Sequence, residues 1–571
     1  MMNGKGMNRR LFLKGSLASG ISTLIPSPVE RLAGVMAMGL IKQAQAETAG
    51  VLGSRNYINL LLAGAPNRYA FDQWMRTNST DPNMSTNAMV ATAIESSAGA
   101  ATVAKYQTIE YKNILVPHMF SHSVFNGKGQ LRPLTNLLDN MMVIRGYGSN
   151  MDGHPTNATI QMAPLGGASS IAGLAADYSL KTFQAIQWPN RSTYGNYASS
   201  KGRGLNKLGT DRPLHDLLAA FLPSGAAQEN VNKLVQRNSA AFDLARTTLQ
   251  TYVNSGSTGH QILNQNMSSA LSLLKKGIND LDSYWAEALP RYQNLIQKSL
   301  QAVGLPGISD MRLVGDGSVN WNIHVADGNR GLAPTGDLRD ALAARTLPSF
   351  LAEGFALAEY VIKQGLTTSI ELYTDNQGTL ALNEIVNSNP INGVVHSPIN
   401  DMHETGSIST VLLTTSYYRG IAAAILELAD QLKATKVNGT DLWSETVLQI
   451  TSDFGRSARS SGGGSDHGFN QMLTSVYSGI IKSPFVVGNI YRGNRTFVYG
   501  SADYAGTQGL RAPIADYNHG DLPTPVMAAS SVANLLRIKS NPYENVAPPL
   551  VKEVNGQAVP VVTGKIVEDP S

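Results

Sequence analysis

The residues best suited to chemistry in this chain stand just beyond the ends of apolar runs. One run, VLQITS at 447–452, leads into Asp453 and a glycine-rich polar stretch that closes on Asp466-His467-Gly468. A second, TSIELY at 368–373, is followed after a long polar insertion by Asp401-Met402-His403. A third, MMVIR at 141–145, runs into a polar loop carrying Ser149 and ending at His154. Mixed sets of carboxylates and imidazoles hold Zn or Mn, and Mg or Ca where oxygen donors prevail. One such ion polarises a phosphoryl or sulfuryl oxygen while a second activates the nucleophile. The chain has no cysteine. Thiolate ligands, disulfides and cysteine nucleophiles are therefore excluded, and any metal must rest on His, Asp, Glu or backbone oxygen.

Each of these residues also has a plainer use. Asp453 suits a turn or helix cap, and Asp466-His467-Gly468 suits a simple turn. His154 lies where helix caps form. Arg456 serves equally to neutralise an anionic substrate or to close a salt bridge inside its loop. His118 and His122 have i, i+4 spacing, but VPHMFSHS does not read as a helix. His396 and His519 belong to no motif. The glycines at 462–464 lack the Lys-Ser/Thr of a phosphate loop.

The elements that must position these residues alternate. Strands are expected at 57–63, 141–145, 368–373 and 446–451, with shorter ones at 484–487 and 496–499. Helices are expected at 134–140, 157–162, 350–364, 407–432 with a weak point at Gly420, and 522–536. Residues 212–303 carry apolar positions at three and four spacing and read as a helical insertion or cap. Alternation of this kind implies an α/β fold with a mostly parallel sheet flanked by helices. In such sheets ligands bind beyond the carboxyl ends of the strands, which is where Asp453, Asp401 and His154 fall. The tail after Asn541 is expected to wrap the surface.

Bulk composition narrows the classes. The chain has 571 residues, 42% of them hydrophobic and 15% charged, so it is globular, with length enough for more than one domain. A net charge of +4, from 45 basic and 41 acidic residues, gives no reason to expect a nucleic-acid or anionic-membrane partner.

The N-terminus reads as an address. Asn8-Arg9-Arg10-Leu11-Phe12-Leu13-Lys14 matches the twin-arginine export motif, a weakly apolar stretch follows, and Ala44-Gln45-Ala46 is a small-residue cleavage pattern. Residues 1–46 are thus expected to be a signal read by the twin-arginine translocation machinery, with 47–571 as the mature domain in the periplasm or secreted. No uncharged run there reaches the roughly 20 residues of a membrane span.

The chain resembles the bacterial family of unknown function numbered 1501, exported proteins grouped with the alkaline phosphatase/sulfatase superfamily. The resemblance spans most of the chain. Its best part is Ser452-Asp453-Phe454-Gly455-Arg456-Ser457 followed by Asp466-His467-Gly468. GLTTSIELY with Asp401-Met402-His403, VIRGYG with His154, and DLPTPVMAASSVANLLRI add to it. The resemblance implies an alkaline phosphatase-like fold and a metal-dependent hydrolase cleaving a phosphate or sulfate ester, of a small molecule or a polysaccharide. It implies Asp401, His403 and His467 on one metal and Asp453 on a second, with a nucleophile near Ser149 or Thr156. Two departures stand against catalysis: Pro66 falls where the family has a ligand Asp, with Asp72 the nearest acid, and a long insertion precedes Asp401. The alternative is a degenerate, non-catalytic relative that binds or assembles in the cell envelope.

Overall fold

The computed structural model describes residues 54–77, 90–94, 102–149, 151–190, 196–209, 282–301, 313–314, 325–327, 330–332, 344–382, 394–396, 400–401, 407–458, 465–468, 472–488 and 523–561, apart from isolated positions. The signal segment, most of the span 212–281 and the expected strand at 496–499 lie outside these residues.

The centre is an eight-stranded sheet. Its strands are β1 (Asn56–Leu62), β2 (Met141–Tyr147), β3 (Ala185–Trp188), β4 (Leu205–Lys207), β5 (Ser369–Thr374), β6 (Thr446–Ser452), β7 (Met472–Tyr477) and β8 (Phe485–Val487). They lie in the order β4-β3-β5-β1-β6-β7-β2-β8. β7 runs antiparallel to both its neighbours, and every other pairing is parallel. The central strands are buried along almost their whole length, so they read as near-continuous apolar runs. β3, β4 and β7 are not among the strands expected from the sequence: β3 and β4 are only four and three residues long, and Thr474-Ser475 interrupts the apolar run of β7.

Helices cover both faces. On one face α1 (His154–Met162), α2 (Ile171–Asp177) and α5 (Pro525–Leu535) pack over Tyr57, Leu61, Val447 and Val476. On the other, α3 (Leu351–Lys363) and α4 (Ser407–Lys433) pack over Ile58, Leu60, Ile370 and Ile450. Period-two alternation along β1 divides its side chains between these two cores.

Two expectations change here. α4 runs unbroken through Gly420. A Cβ at that position would stand 3.1 Å from Leu300 and 3.2 Å from Ile296, so the glycine admits a neighbouring helix rather than weakening its own. That neighbour is the helix at 282–301, the end of the expected insertion. Its Tyr292, Leu295, Ile296 and Leu300 belong to the main core, so this part is no separate cap.

The tail forms a hairpin, Val551–Val554 with Gln557–Pro560, packed on α5. Arg55, just before β1, is buried and holds Glu553 of this hairpin through Nη1–Oε2 at 2.5 Å and Nη2–Oε1 at 2.7 Å.

A candidate metal centre at the carboxyl edge

In register, Leu62 of β1 stands beside both Thr374 of β5 and Ser452 of β6. The three central strands therefore end at one level, and their outgoing segments reach the same edge. β6 delivers Asp453 directly. β1 delivers the turn Gly64-Ala65, with positive φ at both residues (83° and 50°). β5 delivers Asp401 through its long insertion, and β2 delivers His154 as the first residue of α1.

Asp453 is fully buried. Its Oδ2 accepts the Gly64 N–H at 3.0 Å and faces His154 Nδ1 at 2.8 Å, while its Oδ1 has no hydrogen-bond partner. On the other side of the ring, His154 Nε2 lies 3.2 Å from Asp401 Oδ2, yet off the axis of a hydrogen bond. Asp401 Oδ1 is held by the Arg456 guanidinium. Arg456 is itself buried and donates to Ala65 O at 2.8 Å and Gly64 O at 2.9 Å. Its charge is thus spent on a backbone turn and on Asp401, which makes it a clamp on that carboxylate.

The loop after Asp453 proves to be a hairpin, Gly455–Ala458 paired with Ser465–Gly468, in which His467 stands opposite Arg456. Cross-strand partners share a face, and this brings His467 back over the edge. Its ring stacks on Phe454 (4.1 Å between centroids, 17° between planes) and meets His154 edge-on at 4.9 Å.

One donor atom each from His154, Asp401 and His467 lies within 4.8 Å of the others. Asp401 and His467, expected together from the sequence resemblance, do meet. His154 joins them, and Asp453 stands behind His154. His403 and the side chain of Asp466 lie outside the described residues. Ser149 sits in the β2–α1 loop, where its hydroxyl accepts the Met151 N–H at 3.3 Å. Thr156 is exposed in the first turn of α1. Asp72, the acid nearest to Pro66, is buried, with both oxygens on Arg68.

The electrostatics match the contacts. Burial pulls the His154 pKa down, but the carboxylates of Asp401 and Asp453 outweigh it and lift it to about 9. Burial pushes the Asp453 carboxyl up, against the pull of His154, the Gly64 N–H and Arg456. At neutral pH the cluster without an ion therefore holds an imidazolium between two acids. A divalent cation fits the same set, because it replaces the proton on Nε2 and satisfies a nitrogen that has no aligned partner. Zinc bonds to nitrogen and oxygen of about 2.0–2.2 Å give a tetrahedral edge of about 3.4 Å, close to the 3.2 Å between Nε2 and Asp401 Oδ2.

Elsewhere, His118 and His122 meet edge-on at 5.5 Å in and after a 3-10 turn. Burial lowers the His122 pKa to about 3. No described helix is long and apolar enough to cross a membrane. No family model matches the chain, and no curated protein or solved structure matches it either.

Proposed function

We propose that this protein is an exported, metal-dependent hydrolase-like protein that cleaves phosphate or sulfate esters. The observation that carries the reading is the convergence of His154, Asp401 and His467 at the carboxyl edge of the sheet. Two imidazoles and one carboxylate with an open fourth position are the ligand set of a catalytic zinc site, and Mn is compatible with the same donors. When bound, such an ion supplies Lewis acidity toward an ester oxygen and lowers the pKa of a bound water. The chain's own residues hold that geometry. Asp453 orients His154, Arg456 fixes Asp401, and Phe454 supports the His467 ring. Thr156 and Ser149, on the two sides of His154 in sequence, are the candidates for a nucleophile.

A second reading has its own support. Asp72 is locked to Arg68 and Pro66 stands where the family has an acid, so a two-metal centre lacks a ligand. This favours a non-catalytic envelope protein that uses the same edge for binding.

The test is metal content, by mass spectrometry, of mature protein purified without chelator, beside an Asp401→Ala/His467→Ala variant. Near-stoichiometric Zn or Mn in the parent, lost in the variant, is expected. Hydrolysis of aryl phosphate and aryl sulfate esters by the loaded protein then separates the two readings. Negligible metal in both proteins would discard the hydrolase.

A further inference from the structure

We propose that Asp453 positions His154 for a single metal ion and is not itself a ligand of a second one. The inference rests on the metal-centre reading above and specifies its stoichiometry. It departs from the resemblance, which places Asp453 on a second ion.

Three observations carry it. First, Asp453 is held against the His154 ring: its Oδ2 takes both His154 Nδ1 at 2.8 Å and the Gly64 N–H at 3.0 Å, and its Oδ1 is buried with no hydrogen-bond partner and, among the described residues, no ligand-bearing side chain grouped with it. A carboxylate on Nδ1 fixes the proton there in the neutral ring and leaves the Nε2 lone pair for a metal. Nε2 is the nitrogen that faces Asp401. Second, a further ion on Asp453 would need more ligands, and among the described residues the group of three that could hold a metal is His154, Asp401 and His467, without Asp453. Asp72 is buried against Arg68, and Asp401 reaches the site with one oxygen while the other is held by Arg456. Third, Arg456 already puts a buried positive charge there. It donates to the carbonyl of the same Gly64 whose N–H reaches Asp453. A second dication would have to sit beside that guanidinium in a poorly screened setting.

The experiment titrates Zn²⁺ into chelator-treated mature protein by calorimetry and repeats the titration with Asp453→Asn. Asparagine retains an oxygen for the Gly64 N–H and His154 Nδ1 but lacks the charge. One ion per wild-type chain is expected. The variant should still bind one ion, weakened about 10- to 100-fold, as is usual when a carboxylate behind a metal-bound histidine is lost. Co²⁺ reports the geometry, and its visible absorption should change in Asp453→Asn because the ring is no longer oriented. Two ions in the wild type, with Asp453→Asn leaving one at unchanged affinity, would overturn the proposal. The wild-type stoichiometry decides this even if the variant does not fold. No ion in the wild type would instead remove the metal reading itself, and this proposal with it.

Discussion

At the scale of single residues, the site is a balance of buried charges. His154 with a folded pKa of about 9 stands above its ordinary 6.5, so the folded state holds its proton more tightly than the unfolded chain does. That stabilisation is complete below about pH 6.5 and is lost as pH rises toward 9, an effect of order 3 kcal/mol. Chelator-treated protein should therefore lose stability from pH 6.5 to 9 in urea titrations, and His154→Gln should flatten that slope. Glu371 loses stability in the same direction, at lower pH and from a different cause. It is buried in the middle of β5, where burial lifts its carboxyl to about 7. Ionising it in place costs stability as pH climbs from about 4.5 to 7. Glu371→Gln should raise the melting temperature at pH 8 and leave it nearly unchanged at pH 4.5. Asp72 holds Arg68 where both are fully buried. Asp72→Ala should cost about 3–5 kcal/mol by stranding the guanidinium, while metal stoichiometry stays the same. A loss of metal without loss of stability would instead make Asp72 a ligand.

At the scale of elements, close approaches decide what the site can tolerate. The turn after β1 lies so near the segment that delivers Asp401 that a Cβ on Gly64 would stand 2.9 Å from Asn400 Cβ and 3.2 Å from the Asp401 nitrogen. Its φ of +83° adds strain for any other residue. Gly64→Ala should therefore weaken metal binding as well as folding, measurable by Zn²⁺ calorimetry beside thermal melting. Unchanged zinc affinity would mean that this turn does not set the Asp401 position. Gly420 has the corresponding role between helices, and Gly420→Val should overpack against Leu300 and Ile296 at a cost of about 1–3 kcal/mol. Its effect should be confined to stability, because no described side chain of α4 belongs to the site.

At the scale of the whole molecule, strand ends and chain ends are joined through the same sheet. Arg55 links the start of β1 to Glu553 in the last hairpin. Removing residues from 548 onward should lower a single calorimetric transition rather than add an early one. A separate low-temperature transition would show the hairpin to be a detachable unit. The sequence by itself determined the α/β class, the central strands β1, β2, β5 and β6, and the acids and histidine that come after them. Those strands are buried on both faces, so their apolar runs are long enough to read. It did not yield β3, β4 or β7, because short strands and a strand interrupted by Thr474-Ser475 are defined by their neighbours. The sequence alone, even with the resemblance, did not separate ligand from support. Asp453 reads as a turn cap or, through the resemblance, a ligand, and Arg456 equally as a substrate binder or a salt-bridge partner; the fold sets Asp453 against His154 Nδ1 and Arg456 on Asp401. His467 reaches the edge only because the glycine loop closes as a hairpin. Those roles depend on which face of a side chain meets which neighbour across the sheet. Spacing along the chain fixes the level at which a residue emerges. Only the packed strands decide the direction in which its donor atom points.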